Sequence, residues 1–151
     1  MNKIPDDLIE QIIRVVNKFH QIESRPRHYG TPDLIYVAEI HVIDIAGRYP
    51  GLNLSEIAEK LGVTRGAVWQ TVKKLEQKGL VKRTRPVDNG REIAPTLTIQ
   101  GRQAFEGFRQ VLKRKDASIT AVLEPLDAAE LLSTVRILER LEEFLDQVKE
   151  E

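Results

Sequence analysis

In the first stretch of the chain apolar residues fall at Leu8, Ile12, Val15, Phe19 and Ile22, in alternating steps of four and three. That spacing predicts a helix whose stripe packs against another helix. Pro5 begins the segment and Pro26 ends it. Thr31 followed by Pro32 predicts an N-cap with proline at the first helical position, opening a second helix, DLIYVAEIHVIDIAGR, that stops near Pro50 and Gly51. The apolar positions of this helix nearly encircle it, which calls for contact on more than one side.

Asn53 with Glu56 three residues later is a capping-box start, and Ile57, Ala58 and Leu61 form the inner face of a short helix ended by Gly62. Thr64 caps the next helix. In it Val68, Val72 and Leu75 face inward, while Arg65, Trp69, Gln70 and Lys73 share the opposite side. Two short helices joined by LGVT make a helix-turn-helix. Beyond Gly79, LVKRTR and REIAPTLT flank the turn PVDNG, two strands around an Asn-Gly hairpin signal. Pro95 cannot donate to a ladder, so its strand is expected at an edge or locally irregular. Thr98 caps a long helix through Phe105, Phe108, Val111 and Leu112 towards Leu123, which Pro125 breaks. Asp127 and Glu130 then form a further capping box. The last helix carries Leu131, Val135, Leu138, Leu141, Leu145 and Val148. That stripe is longer than a small core covers, so a second copy of the chain is expected against it. The predicted fold is mainly α, formally α+β: a winged helix-turn-helix with a small β-hairpin wing, flanked by N- and C-terminal helices.

Composition narrows the function. At 151 residues and 41% apolar, the chain fits one domain with an ordinary core. It has no cysteine, which removes disulfides, thiolate zinc sites and thiol switching. The opening MNKIPDDLIEQ lacks an apolar signal core, and no run reaches the about 18 apolar residues of a membrane span. A cytoplasmic protein with no membrane partner is expected. Net charge is zero, yet it is segregated: residues 63–91 sum to +6 and residues 124–151 to −6. A basic middle with an acidic end suits a protein that turns one surface towards a polyanion.

No catalytic constellation accompanies this charge pattern. G-x-S-x-G and H-E-x-x-H are absent, and Gly62 to Gly66 lacks the G-K-S/T of a phosphate loop. His20, His28 and His41 lack paired metal-ligand spacing, so neither a metal nor a cofactor is expected. The protein is therefore expected not to be an enzyme. DNA recognition needs cations for phosphate, and amide or guanidinium groups for base edges, on a helix slim enough for the major groove. The expected double-stranded-DNA contacts are Thr64, Arg65, Gly66, Trp69, Gln70, Lys73 and Lys74 on the second helix of the motif. Arg83, Arg85, Asn89 and Arg91 follow on the wing. Trp69 has two readings, apolar contact with a thymine methyl or sugar edge, and packing across the helix surface. The competing class is a winged-helix module that binds protein.

The stretch NLSEIAEKLGVTRGAVWQTVKKLEQKGLVKR, the wing ending in REIAPTLTIQGR, and the long helices on both sides resemble the multiple-antibiotic-resistance regulator (MarR) family of transcription factors. The resemblance covers essentially the whole chain, and its most specific parts are the recognition-helix stretch and Leu97, Thr98 and Gly101 after the wing. It implies a homodimer whose N- and C-terminal helices intertwine, with two winged lobes reading a pseudo-palindrome as a repressor. Residues 1–30 and 101–151 would form the helical dimerisation region and 31–100 the winged helix-turn-helix region of one intertwined domain. It also implies release by a small phenolic or anionic effector, for which Arg25, Arg27, His28, Tyr29, Tyr36 and His41 lie near the expected pocket; Arg25, His28, Tyr36 and His41 are the chosen contacts. Two positions depart from the family. Asn89 stands where the wing commonly has the Asp that orients Arg91, with Asp88 one place early, and Trp69 stands where relatives often carry a small residue.

Overall fold

The computed structural model of the protein describes residues 6–85 and 93–149. Its elements are α1 (Asp6–Glu23), α2 (Val37–Arg48), α3 (Leu54–Leu61), α4 (Arg65–Gln77), β1 (Val81–Thr84), β2 (Ala94–Leu97), α5 (Ile99–Leu123) and α6 (Ala128–Lys149). The chain divides into two compact units, one running to Gln110 and one from Val111.

The first unit holds the core. Ile40, Val42, Ile43, Ile45 and Ala46 of α2 are buried, as are Leu54, Ile57 and Ala58 of α3 and Val68, Val72 and Leu75 of α4. Leu80, Val81, Ala94, Ala104 and Phe108 are buried in the same unit. Burial of nearly every side of α2 accounts for its encircling apolar pattern.

The start of α2 differs from the expectation at Thr31 and Pro32. Ile35 is held extended in an isolated bridge with Arg27, each residue's N–H donating to the other's carbonyl at 2.8 and 3.0 Å. A residue in that pairing cannot enter a helix. The Thr31 hydroxyl instead donates to the His28 carbonyl at 2.8 Å, folding the loop before it. The helix begins at Val37, where the Glu39 carboxylate accepts the Tyr36 N–H at 2.8 Å.

The other starts lie where local chemistry puts them. Asn53 and Glu56 cap α3 reciprocally, each bond within 2.9 Å, and Gly62 ends it in the left-handed region at φ 63°. The Thr64 hydroxyl accepts the Ala67 N–H at 3.2 Å to open α4. Beyond α4, β1 and β2 pair antiparallel, with Val81 opposite Leu97 and Arg83 opposite Pro95. Both strands of a two-stranded sheet are edges, which is how Pro95 is accommodated.

Thr98 joins the wing to the helix that follows. Its hydroxyl donates to the Gly79 carbonyl at 2.6 Å and accepts the Gly101 N–H at 3.1 Å, while its own N–H donates to the Leu80 carbonyl at 3.1 Å. Gly101 presses so closely on Leu80 that a Cβ would stand 1.9 Å from that carbonyl oxygen. The exit of α4, the base of the wing and the first turn of α5 are thus one joint.

In the second unit, Asp127 and Glu130 cap α6 reciprocally, each bond at 2.9 Å. Leu131, Leu132, Val135, Leu138, Phe144, Leu145 and Val148 all stand exposed along it. In α1 of the first unit the apolar stripe is equally uncovered, with Phe19 65% exposed.

Candidate nucleic-acid interface

Helix α4 turns Val68, Val72 and Leu75 into the core at 1% exposure or less. The 3.6-residue period then leaves Arg65, Gln70, Lys73 and Lys74 on the outer side, and all four are exposed. Thr64 and Gly66 stand exposed at the helix entrance. A Cβ on Gly66 would meet nothing closer than the Thr64 hydroxyl at 4.0 Å, so its role is not forced by packing within the chain. The outer face therefore offers two kinds of polar chemistry: cations that pair with no carboxylate among the described residues, and one amide able to donate and accept together.

Lys78 does not belong to that face. Its ammonium donates to the Glu39 carboxylate and to the Leu34 carbonyl, both at 2.7 Å, and lies 5.2 Å from the centre of the Tyr36 ring. Glu39 is buried at 3% exposure, so Lys78 serves as its counter-charge and ties the end of α4 to the start of α2.

Trp69 and Arg83 meet each other. The Arg83 guanidinium lies over the Trp69 ring, 5.1 Å from its centre, and its Nη2 is 2.7 Å from a carboxylate oxygen of Glu76. The indole is half-buried. Glu76 is the residue that reading the sequence missed. The one available signal was its position seven residues after Trp69, two turns along the same side of α4. Arg85 is exposed just beyond β1. Asn89 and Arg91 lie outside the described residues.

The residues named for an effector differ in their surroundings. Arg25 and His28 are exposed, and His28 Nδ1 lies 3.2 Å from the Asp33 carbonyl. Tyr36 borders an open cleft of about 460 Å³ shared with Thr71, Lys74 and Lys78. His41, by contrast, is half-buried with its ring 6.2 Å from that of Phe108, and Tyr29 meets the same phenyl ring edge-on at 5.6 Å. Among the described residues no helix is long and apolar enough to cross a membrane.

A tight helix pair followed by a two-stranded hairpin, with a polar face on the second helix, defines a winged helix-turn-helix. Residues 35–93 match the model of the MarR family. The HTH-type transcriptional repressor MdtR of Bacillus subtilis is 32% identical over 120 residues, covering 80% of this chain and 72% of that protein. The HTH-type transcriptional regulator PchR of Bacillus subtilis is 26% identical over 110 residues, covering 73% of this chain. The chain spans 65% of the length of PchR, just under two thirds. FabT of Streptococcus pneumoniae, solved in complex with DNA, superposes with a TM-score of 0.70 at 26% identity, over 94% of this chain and 97% of that one. The chain belongs to the MarR family.

Proposed function

We propose that the protein is a sequence-specific double-stranded-DNA-binding transcriptional regulator, a homodimeric repressor acting in the cytoplasm on a pseudo-palindromic operator. One observation carries this reading: Arg65, Gln70, Lys73 and Lys74 stand exposed together on a helix whose opposite face is locked into the core. A helix about 10–12 Å across fits a major groove about 12 Å wide. There the cations meet phosphate and the amide meets a base edge. The repressor name of MdtR and the DNA bound to FabT support the same reading. The protein works by binding rather than by catalysis. Residues 1–30 and 101–151 are assigned to pairing the two copies and 31–100 to DNA. Release by a small phenolic or anionic effector is part of the proposal. Of its expected contacts, His41 is half-buried with its ring 6.2 Å from that of Phe108.

Titration of a labelled duplex across salt concentrations tests the reading. If the two lobes together neutralise on the order of 8 phosphates, log K falls with log salt at a slope near −7. A slope near zero points instead to a winged-helix module that binds protein.

A further inference from the structure

Arg83 was expected to contact DNA, and its surroundings argue against a role as a phosphate ligand. A guanidinium has two ways of being recognised, the N–H edge that fits an oxyanion and the flat face that stacks on a ring. Here Glu76 takes the edge at 2.7 Å and Trp69 takes the face at 5.1 Å. A phosphate approaching this fork would meet the Glu76 carboxylate beside it, like charge against like charge. Trp69 and Glu76 lie on α4, Arg83 on β1, so the contact bridges the recognition helix and the wing.

A two-stranded hairpin is marginal by itself and takes its orientation from what it leans on. The joint at Thr98 fixes the base of the wing. Arg83 adds a second point of attachment, further along β1 and on the side that faces the exposed surface of α4. Two attachments fix a direction where one leaves a pivot. The side chains of Arg83 and Glu76 are each 36% exposed, so the ion pair alone is partly screened by water. The position of the guanidinium over the indole adds a contact that an ion pair alone does not supply.

Building on the DNA-binding reading above, we infer that Arg83 is a positioning residue, clamped by Glu76 and Trp69 so that the wing and the recognition helix approach DNA as one body. Trp69 is then the platform of this clamp and not a reader of bases. Glu76, an acid on a basic surface, holds Nη2 of Arg83 and orients it as a strut.

The test has one arm without DNA and one with it. In the free dimer or monomer, Arg83→Gln and Glu76→Gln are expected to shift the emission of Trp69, the chain's single tryptophan. Both should also speed hydrogen exchange at the β1 amides while helical content is kept. Trp69→Phe, which keeps a ring beneath the guanidinium, should retain that protection, and Trp69→Ala should lose it. On a duplex selected for tight binding, Arg83→Gln is expected to lower affinity about 10-fold, the scale of a partly exposed ion pair and a cation–π contact together, with the salt slope of the parent protein unchanged. Unaltered Trp69 emission and β1 exchange in Arg83→Gln, with a salt slope flatter by about one unit per lobe, would overturn the inference and make Arg83 a phosphate contact. A parent protein that binds no duplex refutes the DNA-binding reading by itself, and the arm without DNA still decides whether the clamp exists.

Discussion

Gln70 and Lys73 stand three residues apart on one exposed face of α4, and their chemistry separates their roles. An amide presents a donor and an acceptor side by side, the pattern that adenine offers at N7 and N6 in the major groove. An ammonium is a point charge with three donors and no acceptor, which suits a phosphate of any sequence. Gln70→Ala is therefore expected to lose about 1–3 kcal/mol of discrimination at a single base pair. Lys73→Ala should weaken operator and random duplex alike. Competition binding against single-base operator variants measures both; equal losses on every sequence for Gln70→Ala would remove it from base reading. Lys78 has the same side chain as Lys73 and a different fate, because the buried Glu39 carboxylate and the Leu34 carbonyl claim its donors. A cation's role is set by what lies within reach of it, and five residues along the chain are enough to change that.

Among the elements, the joint between wing and α5 is the most constrained. Gly101 sits where a Cβ would collide with the Leu80 carbonyl oxygen at 1.9 Å, an obstacle of backbone rather than of flexible side chain. Gly101→Ala is expected to cost about 1–3 kcal/mol, as overpacking does, read as a lower midpoint of urea unfolding. An unchanged midpoint would mean that the joint yields without cost. The same joint explains why Leu97, Thr98 and Gly101 are recognisable in the sequence: Thr98 is a helix cap and Gly101 a close contact, and both need a particular residue. The caps at Asn53, Thr64 and Asp127 were legible for a related reason, since donor and acceptor lie three residues apart and need no tertiary information. The start of α2 was not legible, because it depends on Ile35 pairing with Arg27 and on Glu39 meeting Lys78 from a different helix. The exposed face of α4 could be read from periodicity alone. The clamp on Arg83 could not, as it joins a strand to a helix through a contact that no local pattern announces.

At the scale of the molecule, each unit carries an exposed apolar stripe, on α1 and on α6, and Phe19, Leu138 and Phe144 are each more than half exposed. Apolar surface left in water forgoes about 25 cal/mol per Å², and patches of this extent on a soluble protein mark an interface. The protein is expected to run as a dimer in light scattering at micromolar concentration. A monomeric mass with native helicity would contradict the pairing of these helices. A two-fold dimer of winged lobes predicts a two-fold target, with half-sites about one helical turn apart. Selection of binding sites from a pool of random duplexes tests this claim most directly, because it requires the exposed face of α4, the wing and the dimer to act together. An inverted repeat whose half-sites are centred about 10 base pairs apart is expected to be enriched. Recovery of no common sequence after repeated rounds, from protein that is folded and dimeric, would contradict it.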